Sequence, residues 1–198
     1  MSEFLNVLKK RRSVYGISKE SVISDDKIEE IVKEAVLHTP SSFNSQSARV
    51  VVLFNEQHDK LWDITKEILR GQVPAENFGS TEQKMDSFKS GHGTVLFFED
   101  QSVVEGLQEQ FALYADNFPV WSNQSNGMLQ LVVWTALSEA GLGATLQHYN
   151  PLIDEKVTAE WSIPASWKLI AQMPFGKPVA APGEKEYAPI DSRLKVFK

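Results

Sequence analysis

Two unbroken apolar runs, Val50-Val51-Val52-Leu53-Phe54 and Thr94-Val95-Leu96-Phe97-Phe98, constrain this chain more than any other feature. Neither alternates polar with apolar residues, and β-branched and aromatic runs of this length form strands buried on both faces. Trp167 to Met173 is the last core strand, and Ala144-Thr145-Leu146-Gln147 reads as a short one. Strands of this kind need covering layers, and the remaining sequence supplies helices. Phe4, Leu5, Val7 and Leu8 open a short amphipathic helix ending near Arg11. Ser24 is an N-cap, Asp25 and Asp26 suit the first turn, and Ile28, Ile31, Val32, Ala35 and Val36 share one face until Pro40 stops the helix. Further helices are expected from about Glu56 to Arg70, around Met85 and Phe88, over Val103 to Phe111 with a break near Pro119, from about Ser122 to Ala140, and from Leu152 to Trp161. Gly141 and Gly143 close the longest of these. Beyond Met173 the prolines at 174, 178, 182 and 189 mark an extended tail. The expected class is α+β, with several helices around a small sheet.

The chain's 198 residues suit a single domain spanning 1–198. A net charge of −6 argues against a nucleic-acid partner, while leaving room for a local basic pocket. The sequence has no cysteine, which excludes thiolate catalysis and cysteine-held metals. No apolar run approaches the roughly 18 residues needed to span a bilayer, so no membrane role is expected. The segment from Met1 to Arg12 is too polar for a signal peptide, and the expected location is cytoplasmic. His38, His58, His92 and His148 show no metal spacing, and no metal is expected. Gly141 and Gly143 lack the third glycine and the preceding strand of a dinucleotide fingerprint.

Two polar clusters stand out, each just after a helix. Arg11-Arg12-Ser13 concentrates guanidinium groups and a hydroxyl, which suit a phosphate because planar Arg donors match its oxygens in pairs. Pro40-Ser41-Ser42-Phe43-Asn44-Ser45-Gln46 packs hydroxyls and amides into one turn, a set able to read a polar heterocycle. Taken singly, the first could be an ordinary basic helix end and the second an ordinary turn. A ligand with a phosphate at one end and a hydrogen-bonding ring at the other would use both, and flavin mononucleotide (FMN) is such a ligand.

The two motifs, separated by one helix and followed at once by a buried strand, resemble those of the FMN-dependent nitroreductase family. The likeness extends through Phe97 to Asp100, Leu107 to Ala115 and Gly141 to Pro151, which look like its small copper- and stress-induced subgroup. The resemblance implies a small, mostly antiparallel central sheet among helices, with an extended C-terminal arm. It also implies a homodimer with the flavin at the subunit interface, so that the two clusters can come from different chains. Arg11, Arg12, Ser13 and Lys185 would hold the phosphate. Tyr15, Ser41, Ser42, Asn44, Gln46, Gln147, His148 and Tyr149 would approach the ring or the ribityl chain, His148 by its ring or by its backbone alone. Phe118 and Trp121 would wall a substrate pocket, although core packing is the commoner role of each taken singly. The implied activity is NAD(P)H-dependent reduction of nitroaromatics or quinones by ping-pong hydride transfer, with the chemistry on the flavin and no catalytic side chain. The alternative is a flavin-binding stress-response regulator with little turnover. The chain departs from the family at Tyr15, where many members carry a cation. It departs again at Lys185-Glu186-Tyr187, where they carry Lys-x-Arg; Arg193 is a second cation in the same tail.

Overall fold

The computed structural model describes residues 2–20 and 22–198. In chain order it contains α1 (Glu3–Lys10), β1 (Ile17–Ser18), α2 (Asp25–His38), β2 (Ala48–Phe54), α3 (Asn55–Arg70), α4 (Phe78–Lys89), β3 (Gly93–Asp100), α5 (Gln101–Gln110), α6 (Phe118–Glu139), β4 (Gly143–Ala144), α7 (Asp154–Glu160) and β5 (Trp167–Pro178). The described strands form one sheet in the order β1-β5-β3-β2, with β4 also paired to β5, and every ladder is antiparallel.

The unbroken apolar character of β3 has the expected cause, since both of its faces are covered. Val95 and Phe97, with Ala171, Met173 and Phe175 of β5, pack against Ile28, Val32 and Ala35 of α2 and against Leu129, Val133 and Leu137 of α6. Leu96 and Phe98 point the other way, onto Leu61 and Trp62 of α3, Met85 and Phe88 of α4, and Val157 of α7. Ser24 caps α2 as expected, its hydroxyl accepting the Lys27 N–H.

Three expectations need correcting. Pro119 does not break a helix; it sits in the first turn of α6, where a missing N–H leaves no bond unmade. That helix therefore starts at Phe118, four residues before the expected start. The last strand does not end at Met173 but runs through Pro174 to Pro178, and the Pro174 carbonyl accepts the Thr145 N–H at 3.2 Å. Of the strand expected over residues 144–147, only Ala144 is in one, β4 with Gly143, followed by an isolated bridge from Gln147 to Gln172. Gly141 ends α6 in a left-handed turn at φ 90°, as its position suggested.

Candidate functional site

The structure sorts the candidate residues into two groups on different parts of the surface. The first is built around Arg11 to Tyr15, which leaves α1 in extended backbone. Ser13 forms a parallel bridge with Ala144, and the Val14 N–H donates to the Ala144 carbonyl at 3.0 Å. Gly143 makes this approach possible, since a Cβ there would lie 2.8 Å from Val14 Cγ1. The bridge joins Ser13 to Ala144, and Tyr15 lies near enough to Tyr149 for its charge to act on that phenol. Gln147 is pinned by its bridge to Gln172, and Gln172 Oε1 accepts the Tyr149 N–H at 2.8 Å. His148 turns its ring to solvent.

Electrostatically this group is cationic and underused. The Arg11 guanidinium lies 4.3 Å from the centre of the Trp134 ring, and its Nε is buried without a hydrogen-bond partner. Burial and the neighbouring charge of Arg12 both pull Arg11 below its ordinary value. Among the described residues neither guanidinium forms an ion pair with a carboxylate. Arg12 Nη2 instead donates to the Gly183 carbonyl at 2.6 Å, which brings the C-terminal arm past it. Lys10, Arg12, Val14 and Gly141 line a groove of about 360 Å³ with Ala180 and Pro182 of that arm. Lys185, two residues beyond Gly183, is exposed and stacks its ammonium 5.1 Å from the Tyr187 ring. Tyr149 is half-buried, and burial together with Tyr15 pushes its phenol up to about 12, so it stays a neutral donor at physiological pH.

The second group is the loop from Ser41 to Ser47, between α2 and β2. It turns through left-handed backbone at Phe43 (φ 56°), Asn44 (φ 50°) and Gln46 (φ 48°). Ser41 Oγ accepts the Gln46 N–H at 2.9 Å. Ser41 and Gln46 line a groove of about 510 Å³ with Arg49, Val50, Leu129 and Trp167. Above the loop lies an aromatic cluster. Phe43, half-exposed, stacks on Trp121 at 5.9 Å and meets Phe111 at 5.0 Å, Phe118 at 5.3 Å and Tyr114 at 6.1 Å. Phe118 is only 3% exposed and serves as the floor of this cluster; the accessible rings are Phe43 and Tyr114.

Several residues that shape this loop were not among the sequence candidates. Arg49 Nη1 donates to the Gln46 carbonyl at 2.7 Å and its Nη2 to Asp100 Oδ2 at 3.1 Å. Glu99, 1% exposed, accepts from Ser47 and Asn126. Two adjacent acids ending an apolar strand and a single arginine opening another are the signals that would have found them.

The model of the nitroreductase family matches residues 8–177. This chain belongs to the nitroreductase family. Nitroreductase CinD from Lactococcus lactis, solved with chloramphenicol, is 48% identical over 99% of this chain and 100% of its own, with a TM-score of 0.92. The same protein solved with 4-nitrophenol is 49% identical with a TM-score of 0.91. Nitroreductase FRM2 of Saccharomyces cerevisiae is 32% identical over 98% of this chain and 96% of its own length. The architecture is thus nitroreductase-like α+β, and family membership gives the chain a general oxidoreductase role. No described helix is long and apolar enough to cross a membrane.

Proposed function

We propose that this nitroreductase binds FMN and uses NAD(P)H to reduce nitroaromatics or quinones by a ping-pong mechanism, as a homodimer. The observation that carries the reading is the Arg11-Arg12 pair: two adjacent cations without a carboxylate, one of them with a buried, unpartnered Nε. Two like charges held together repel, and the arrangement is favourable once an anion enters. A phosphate fits that chemistry, with Ser13 as a further donor and Lys185 arriving from the arm. Bound FMN would supply two-electron chemistry, accepting a hydride from the nicotinamide and releasing it to the acceptor. The chain's own part is to bind, orient and exclude water. Ser41, Ser42, Asn44 and Gln46 present neutral donors and acceptors for the ring or ribityl chain. Tyr15 offers a phenol where a cation would otherwise stabilise negative charge on the reduced ring, and Tyr149, kept neutral by burial and by Tyr15, adds a second phenol near it. Phe43, Tyr114 and Trp121 form an aromatic surface suited to a planar acceptor, consistent with the nitrophenol that CinD holds.

A second subunit explains why the two groups line different grooves in one protomer. It also gives a role to exposed apolar residues on α6 (Met128, Leu131 and Val132) and along the arm, where Phe197 is 91% exposed.

The test is an absorption spectrum and a fluorescence titration of the purified protein with FMN, followed by steady-state oxidation of NADH and of NADPH with 4-nitrophenol as acceptor. Flavin bands, saturable quenching and acceptor-dependent turnover are expected. Protein that neither retains nor binds FMN defeats the reading. Binding with slow, acceptor-independent oxidation turns it into a flavin-binding regulator.

A further inference from the structure

We propose that Glu99 is a positioning residue for the Ser41–Ser47 loop, holding it, through Ser47, in the shape it presents to its ligand. This role rests on the flavin reading of the loop and adds a residue that touches no ligand itself.

Left-handed backbone at three non-glycine residues within four positions is unfavourable, and it persists only where the surroundings over-determine it. The surroundings here are two consecutive acids at the end of β3. Ser47 Oγ donates to Glu99 Oε2 at 2.6 Å, and the Ser47 carbonyl accepts the Asp100 N–H at 3.0 Å. Asp100 holds Arg49, and Arg49 holds the Gln46 carbonyl. The two acids thus fix adjacent residues, Gln46 and Ser47, from opposite faces of one strand.

Glu99 is an expensive way to make such an anchor if stability is its only purpose. It is fully buried and its nearest cation, Arg49, is already engaged by Asp100. Burial pushes its carboxyl up, against the donation of Ser47 and Asn126 and the charge of Arg49, while Asp100 adds to the push. Buried charges of this kind can often be replaced by apolar residues without loss of stability. What a carboxylate offers instead is a short, directional bond, and 2.6 Å lies in the range of charge-assisted O–H···O contacts. Its other oxygen accepts from Asn126 Nδ2 at 2.8 Å, and Asn126 also donates to the Phe98 carbonyl and accepts from Gln130. One carboxylate oxygen is fixed to α6 and the other holds the loop, so the loop takes its position from the core.

The experiment is FMN affinity by fluorescence titration together with Tm, for the wild-type protein, Ser47→Ala, Ser47→Thr, Glu99→Gln, the Ser47→Ala/Glu99→Gln double variant and Thr94→Val. Thr94→Val is the structural control: it removes a buried hydroxyl from the same strand, where Thr94 accepts from Trp62 and bonds His58, away from the loop. Ser47→Ala is expected to raise the FMN Kd about tenfold, with Ser47→Thr restoring it to within about twofold. Glu99→Gln can keep Asn126 on its oxygen only by turning its Nε2 to Ser47, which reverses that bond and removes its charge assistance, so it weakens FMN by a smaller factor than Ser47→Ala, and the double variant is no worse than the weaker-binding single. Thr94→Val lowers Tm with the FMN Kd unchanged. Wild-type affinity in both Ser47→Ala and Glu99→Gln overturns the proposal and leaves the flavin reading standing. Additive losses, or an equal FMN loss in Thr94→Val, overturn it as well. A wild-type protein that does not bind FMN removes the flavin reading and this role together.

Discussion

The Arg11–Tyr15 segment lies in extended backbone against residues 143–149 and is pinned by main-chain bonds, whereas the Ser41–Ser47 loop turns through three left-handed residues and is pinned by side chains. In the first region the unused chemistry is charge, namely two guanidinium groups with no carboxylate and a buried Nε without a partner. In the second the polar groups closest to the core are engaged, and what is stored is backbone shape. A region that selects its ligand by charge can tolerate loose geometry, because Coulomb attraction is long-ranged and non-directional. A region that selects by hydrogen-bond pattern cannot, since such bonds weaken steeply with misalignment. The contrast predicts that the two regions respond differently to the same kind of damage.

The largest effect is expected from removing the charge. Each phosphate contact to a cation is worth roughly 1.5–3 kcal/mol, and each 1.4 kcal/mol is tenfold, so Arg11→Ala should weaken FMN about tenfold to a hundredfold and Arg11→Ala/Arg12→Ala by more. Riboflavin, which lacks the phosphate, should bind the variants as it binds the wild type. Equal loss of riboflavin and FMN would show that the arginines support the fold of the region and not an anion, and the comparison would break there.

Next in size is a change to the backbone contact that carries the cationic region. Gly143→Ala places a Cβ 2.8 Å from Val14 Cγ1 and 3.2 Å from Pro178 Cγ, so Ser13 and Ala144 must separate. Overpacking of this kind costs about 1–3 kcal/mol, or several degrees in Tm for a chain of this length, with FMN affinity falling alongside. An unchanged Tm would mean that the segment is free to swing away, and so is not a platform.

Much of this was legible in the sequence, for identifiable reasons. The run in β3 announced a strand covered on both faces, and all eight of its residues are buried, whereas in the equally apolar β2, at the edge of the sheet, only Leu53 is. Ser24 and the Asp pair marked the start of α2, and the two polar clusters were located before any fold was known. What could not be read depended on partners distant in the chain. β1 is two residues long and exists only because Ile17 and Ser18 pair with Pro178 and Lys177. Pro119 looked like a stop, and only its place in the first turn of α6 makes it harmless. Phe118 stood between pocket wall and core because exposure is not written in the sequence; it is buried, and the exposed ring is Phe43, held in a left-handed turn that its residue type does not suggest. Glu99 and Arg49 needed the ladder from Ala48 to Glu99 before their relation to the loop could be seen.

A smaller effect isolates the Gln46 side chain inside the second region. Gln46 sits at φ 48°, where a non-glycine residue costs about 1 kcal/mol, and its side chain is exposed. Gln46→Gly relieves that strain while loosening the unfolded chain, so Tm should hold or rise by a degree or two. FMN affinity should nonetheless fall several-fold. Because glycine keeps the left-handed turn, a variant that gains stability and keeps its affinity would show that the Gln46 side chain touches no flavin.

The smallest expected effect is read as a difference between pH values. The Glu99 carboxyl is raised above its ordinary value, chiefly by burial, with Asp100 adding to the rise and Ser47, Asn126 and Arg49 opposing it. Between the ordinary and the raised value, the folded state therefore keeps a proton that the unfolded chain releases, and above both it carries the carboxylate. The stabilisation is complete below the ordinary carboxylate range and is lost as pH rises through the folded value. Glu99→Gln is neutral throughout, so the Tm of the variant minus that of the wild type should grow from pH 4 to pH 8, and the other carboxylates cancel because both proteins carry them. A difference flat with pH would mean that Ser47, Asn126 and Arg49 already balance burial. A difference that shrinks would mean that they outweigh it, and the acid would then be an ordinary structural anchor. If it grows while FMN binds the variant more weakly, the same substitution improves the fold and damages the site, which is the behaviour of a residue retained for the loop it holds and not for the core that surrounds it.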